Sequence, residues 1–142
     1  MADSPVQAGP RRLRALVPPA VLLAAAAAAV ACAGLVDPGE PGHYPTCPFL
    51  WATGLYCPGC GSMRMVHALV HGNVARAFGF NPLAFTLLPV IGLLWILWAV
   101  SAVRGVPLRA PVVRPAAVGV LSTLLVVYWV ARNLPFGQAL AP

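Results

Sequence analysis

Residues 82–103 read PLAFTLLPVIGLLWILWAVSAV, twenty-two positions without a charge. A helix rises about 1.5 Å per residue, so this run spans roughly 30 Å, the hydrocarbon thickness of a bilayer. It predicts a transmembrane helix. Asn81-Pro82 opens it, with Asn81 as cap and Pro82 in the first turn, where a missing N–H costs little. Trp95 and Trp98 lie toward its far end, and Pro89 and Gly92 are its kink positions.

Two more spans flank this one. Beyond it, residues 104–115 form a loop with Arg104, Arg109 and Arg114 among three prolines. Residues 116–131 are the next apolar run, ending in Tyr128-Trp129, before a tail over 132–142 that starts with Arg132-Asn133. On the N-terminal side, residues 16–36 carry no charge and are long enough to cross. Pro18 and Pro19 are expected in the first turn of that helix, and Cys32 as a small packing residue near its end. A cleaved signal peptide is the rival reading, from the basic start and the small residues before Cys32. The length of the run favours a retained span. Residues 1–15 form a basic tail, expected to be disordered to about Arg11.

Composition agrees with the spans. The 142 residues are 60% hydrophobic and 8% charged, against about 25% charged in soluble domains. The fold class is therefore all-α integral membrane. Every one of the nine basic residues is arginine. They lie singly or beside apolar runs, which marks them as orientation charges and argues against a nucleic-acid partner. Three lie in the tail, three in the 104–115 loop, and only Arg64 and Arg76 in the long 37–81 loop. The positive-inside rule then puts the N-terminus and the 104–115 loop in the cytoplasm. The 37–81 loop and the C-terminus fall outside, in a compartment that permits disulfides.

Asp3, Asp37 and Glu40 are the only acids. That excludes hydrolysis by paired carboxylates, magnesium-dependent phosphoryl transfer and a Ser-His-Asp triad drawn from the later chain. Chemistry here is expected to use Cys, His, Arg, Asn or backbone groups.

Those groups concentrate in the 37–81 loop. After the turn-rich segment 37–43, where His43 is expected as a solvated residue, come Cys47 and then Cys57-Pro58-Gly59-Cys60-Gly61-Ser62-Met63-Arg64, His67 and His71. Tyr44, Trp51 and Tyr56 suit the membrane interface. A helix is expected over about 62–78, capped by Ser62 and ended or kinked at Gly72-Asn73. At about 100° per residue, Cys60, Arg64, His67 and His71 share one narrow stripe. The stripe either faces a pocket or snorkels to headgroups.

Three chemistries are open to the cysteines. Cys-x2-Cys and His-x3-His are zinc-ligand spacings. Helix rise separates Cys60 from His71 by about 16 Å, so one ion cannot take both. Cys57 with Cys60, joined by Cys47 or a residue from another segment, or His67 with His71, are the candidate metal pairs. A Cys-x-x-Cys at a helix start is also a redox form, because the N-terminal dipole favours thiolate. Third, Cys47, Cys57 and Cys60 can supply a structural disulfide. Asn81, Arg132 and Asn133 lie at the same depth, close enough to complete a pocket with Arg64, His67 and His71.

The run Cys47-Pro48-Phe49, Thr53-Gly54-Leu55-Tyr56-Cys57-Pro58-Gly59-Cys60-Gly61-Ser62-Met63-Arg64, with His67-Ala68-Leu69, His71-Gly72, Asn81-Pro82 and Arg132-Asn133, resembles a family of small bacterial membrane proteins classed as a domain of unknown function. The resemblance spans roughly residues 44–135, and T-G-x-x-C-P-G-C-G-x-x-R is its specific core. It implies a helical membrane protein and carries over no activity or cofactor. The expectation is a multi-pass protein of the bacterial plasma membrane, more a binding component than an enzyme. Its outer Cys/Arg/His site would take a partner protein, a second copy, a lipid headgroup or a small ligand. A thiol-redox protein using Cys57 and Cys60, or a zinc-binding one, is the alternative.

Overall fold

The computed structural model describes residues 8–40, 42–106 and 114–141. The expectations for residues 1–7 and for Pro107, Arg109 and Pro111 lie outside them. The described chain is helical throughout. Three helices are long and apolar enough to cross a membrane: α1 (Ala8–Leu35), α5 (Pro82–Arg104) and α6 (Pro115–Arg132). Between the first two lie the short helices α2 (Pro48–Thr53), α3 (Ser62–Val70) and α4 (Val74–Phe80). A 3₁₀ helix over Pro135–Leu140 follows α6.

The span helices keep their apolar side chains outward. Val21, Ile91, Leu93, Val120 and Val127 are all more than half exposed, which in water would be an untenable surface and in lipid is the expected one. The first helix starts earlier than its sequence suggests. Ala8 is already helical, and Pro18 and Pro19 fall inside the helix rather than in its first turn. The Trp95 indole N–H donates to the Pro19 carbonyl at 3.3 Å and ties α5 to α1. Cys32 is exposed and does not pack in a helix contact; Tyr44 donates its hydroxyl proton to the Cys32 carbonyl at 3.3 Å.

The helix expected over 62–78 is two helices. Gly72 adopts φ +75°. The Asn73 N–H reaches the Ala68 carbonyl at 2.8 Å and the Gly72 N–H reaches Leu69 at 2.9 Å. That pair of bonds is the Schellman stop, which a left-handed glycine permits without strain. Asn73 then caps α4 by accepting from the Arg76 N–H. At the start of α3 the cap is Gly61, with φ +86°, and Ser62 is the first helical residue instead of the cap. Asn81 caps α5 as expected, accepting from the Ala84 N–H at 2.9 Å, with Pro82 in the first turn.

Met65, Ala68 and Ala77 form the buried centre of this inter-span region, with Val66, Leu69, Phe80, Ala84 and Phe85 packed around them. The α3–α4 pair therefore folds back as a small cap on the bundle, resting on the end of α1 and the start of α5. The last turn of α6 bonds to the turn that leads into α3. One end of the bundle thus gathers the C-terminus of α1, the N-terminus of α5 and the C-terminus of α6.

Candidate functional sites: a three-cysteine loop and a charged pocket

The cysteine loop is built by two turns. Cys47 precedes Pro48 at the head of α2, and Gly54, at φ +71°, ends that helix. The chain then passes through Leu55 and Tyr56 into the turn Cys57–Cys60, closed by the Cys60 N–H on the Cys57 carbonyl at 3.1 Å. The Cys57 and Cys60 sulfurs are 3.1 Å apart and Cys47 Sγ is 3.7 Å from Cys57 Sγ. All three sulfurs lie within 4.8 Å of one another. Cys60 is buried and the other two are half-buried. They open on a cavity of about 650 Å³ that Tyr44, Tyr56, Met63 and Arg64 also line.

The loop is clamped from behind through its carbonyls. Arg132 donates from Nη1 to the Cys57 and Pro58 carbonyls at 2.9 and 3.2 Å, and from Nη2 to the Cys60 carbonyl at 3.2 Å. Asn81 Nδ2 donates to Pro58 and Cys60 carbonyls at 3.0 and 3.2 Å and to Ser62 Oγ at 3.1 Å. Its other amide atom accepts from the Tyr128 hydroxyl at 3.2 Å. Asn133 brackets Tyr56, accepting from its N–H at 2.8 Å and donating to its carbonyl at 2.9 Å. Asn81 is fully buried and Arg132 is 2% exposed. A fully buried guanidinium is costly unless its charge is answered. Here it is answered by three carbonyl dipoles and by the faces of Tyr56 and Tyr128, 5.9 and 5.2 Å from its centre. Among the described residues no carboxylate pairs with it.

The thiols are not equivalent. The Leu50 backbone N–H at the head of α2 is the main influence on Cys47 and lowers its pKa. Burial comes first at Cys60, with the neighbouring Cys57 thiol adding to it, and pushes that group up to about 12.

The Arg/His residues gather elsewhere. Cys60 belongs to the turn before α3 and not to its stripe, so His67 and His71 separate from it, while Arg64 also lines the cysteine cavity. Arg64, His67 and His71 line a second pocket of about 380 Å³ with Asp37, Glu40 and Arg76. The expected single Cys/Arg/His site is thus two sites, with Arg64 on the rim of both. His67 Nδ1 lies 2.8 Å from the Ala33 carbonyl in the last turn of α1, and His71 Nδ1 lies 2.8 Å from the His67 carbonyl. A carbonyl only accepts, so each Nδ1 carries the proton and each Nε2 is left for the pocket. The two rings are neighbours, with centroids 4.3 Å apart and planes tilted by 33°. Asp37 Oδ2 is 4.0 Å from His67 Nε2, and its other oxygen accepts from the Gly39 N–H at 2.7 Å. That N–H, foremost, lowers the Asp37 pKa. His43 is exposed, as expected, with its ring nitrogen 3.3 Å from Glu40.

Sequence reasoning had given carboxylates no part in the chemistry, yet Asp37 and Glu40 line the charged pocket. Arg76 and Tyr128 were also missed as neighbours of these sites. One signal was available: Asp37 directly follows a span, at the depth where α3 must begin.

Residues 47–95 match the family described as "Protein of unknown function (DUF2752)". The match takes in the cysteine loop, α2 to α4 and the first half of α5, and covers less of the chain than the resemblance over 44–135. Arg132 and Asn133 lie beyond it. No curated protein and no solved structure matches.

Proposed function

We propose that this is a multi-pass membrane protein that binds one thiophilic d¹⁰ cation, copper(I) or zinc, between Cys47, Cys57 and Cys60. The carrying observation is the convergence of three sulfurs within 4.8 Å of one another from two separate turns. Soft thiolates select copper(I) and zinc over harder ions. Three sulfurs with an open cavity in front suit a three-coordinate copper(I), or a zinc that completes its shell with a fourth ligand from outside. The buried Arg132 supports the reading electrostatically. A cation held by three thiolates leaves the centre negative, and Arg132 supplies a fixed positive charge behind it. Binding releases thiol protons, so affinity rises with pH. The reading is one of binding, carried by the three converging sulfurs. The arginine distribution supports a site on the outer face, and the reading takes the membrane to be a bacterial plasma membrane.

The test is a metal titration of the purified, reduced chain, read by elemental analysis and chelator competition. One ion per chain is expected. Cys47→Ser, Cys57→Ser and Cys60→Ser should each lower affinity at least ten-fold, while Cys32→Ser leaves it unchanged. Absence of stoichiometric metal, or binding that survives Cys57→Ser, would overturn the reading.

The lowered Cys47 pKa favours one second reading, thiol–disulfide exchange. The Cys47 thiolate would attack a Cys57–Cys60 disulfide at Cys57, forming Cys47–Cys57 and releasing Cys60 as the thiol after protonation. In the intact chain, with Cys57–Cys60 first oxidised by added diamide, capture of a Cys47–Cys57 disulfide with Cys60 alkylated would favour exchange over metal.

A further inference from the structure

We propose that the second pocket, which Arg64 and Arg76 line together with Asp37 and the adjacent His67–His71 pair, binds a phosphoethanolamine group carried by a membrane lipid.

The depth of the pocket is the first argument. Leu35 ends the first span, and Asp37 is two residues further. His67 is bonded to the Ala33 carbonyl inside the last turn of that span. The pocket therefore begins where the hydrocarbon ends, at the level of lipid phosphates and amines.

Its charges are the second. Neither Arg64 nor Arg76 has an ion-pair partner within 4 Å among the described residues. The Arg76 guanidinium only overlies the Phe80 ring at 5.5 Å. Two guanidiniums with free donors are a strong phosphate locus. Yet an anion alone would also meet Asp37 and Glu40, and a metal dication alone would meet both arginines. A ligand carrying both signs a few bonds apart satisfies the whole wall. Its phosphodiester lies against Arg64 and Arg76. Its ammonium donates toward Asp37, whose Oδ2 makes no hydrogen bond to the described residues.

The histidines supply the third. With Nδ1 of each ring committed to a backbone carbonyl, Nε2 is the ring atom left to accept from a primary ammonium, which has three N–H donors. A quaternary ammonium has none. The pocket volume of about 380 Å³ is within the range of small-ligand sites and accommodates a phosphoethanolamine with its glycerol.

This assignment is independent of the metal reading, since it uses none of the three cysteines. The test is native mass spectrometry of the delipidated full chain in detergent, offered phosphatidylethanolamine, phosphatidylcholine or phosphatidylglycerol in mixed micelles. One phosphatidylethanolamine retained per chain is expected, at least ten-fold above either other lipid. Arg64→Gln and Arg76→Gln should each abolish that preference, with helicity by circular dichroism unchanged. Arg64→Lys and Arg76→Lys should retain most of it. Asp37→Asn should bring phosphatidylglycerol level with phosphatidylethanolamine. Competition by soluble glycerophosphoethanolamine at equal concentration would assign the same chemistry to a soluble source, and failure to compete would assign it to the lipid. Equal retention of the three lipids, or a preference unaltered in the Arg64→Gln/Arg76→Gln double variant, would overturn the proposal. So would stoichiometric zinc that depends on His67 and His71, with no lipid preference.

Discussion

Cys47 and Cys60 belong to one cluster, but the fold treats their thiols in opposite ways. Cys47 faces the N–H groups that begin α2, which stabilise its thiolate. Cys60 is buried beside Cys57, which penalises the charged form. Alkylation follows the thiolate, so the two should react in a set order. In the metal-free, reduced protein, Cys47 should be modified by iodoacetamide below the usual thiol range. Cys60, with its pKa pushed up to about 12, should stay largely unmodified at pH 8. The sign is direct: a lowered pKa means more thiolate at a given pH, a raised one less. Peptide mapping after a pH series checks this, and faster modification of Cys60 than of Cys47 would contradict it. Nothing in the local sequence distinguishes these two residues, because the N–H groups and the burial come from different turns.

The elements show how a polar loop can be held at a membrane edge. Backbone carbonyls at a turn have no helical partner, and leaving them unpaired beside lipid is expensive. Here α6 supplies the donors from its last turn. Arg132 reaches three carbonyls in a planar fork, which a lysine cannot reproduce. Arg132→Lys should therefore cost about 3 kcal/mol, the scale for losing charged, buried hydrogen bonds. Thermal unfolding in detergent would show it, together with weakened metal binding in a protein whose cysteines are intact. An unchanged midpoint would mean that α6 does not hold the loop. The break at Gly72 is equally consequential. A single helix over 62–78 would direct Arg76 along the α3 axis. The Schellman stop turns α4 back and brings Arg76 into the pocket with Arg64 and Asp37.

At the scale of the whole molecule, both sites sit at the end where the three span helices are tied together. The end of α1, the start of α5 and the end of α6 are joined there by bonds from His67, Asn81 and Arg132. Topology then decides which compartment both sites face. With Cys47 as the single cysteine, a membrane-impermeant maleimide should label intact cells. With Val106→Cys as the single cysteine, labelling should require permeabilised cells. The reverse pattern would invert the orientation inferred from the arginines.

The three spans and the all-helical class were legible in the sequence because hydropathy is a local property. Each uncharged run reports its own solvent, whatever the rest of the chain does. Asn81 as a cap was legible for the same reason, since a cap acts within three residues. Which loop residues share a site was not legible. Helical periodicity grouped Cys60 with Arg64, His67 and His71, but the helix starts two residues after Cys60, and the turn places its sulfur beside Cys47 and Cys57 instead. Asp37 enters the pocket only because α3 folds back on the end of α1. Arg132 lies 75 residues from Cys57 in the chain and 2.9 Å from its carbonyl in space. Convergence over such separations is set by how the helix ends pack and where their unpaired carbonyls find donors. Only the tertiary structure decides that, and it made two sites where the sequence suggested one.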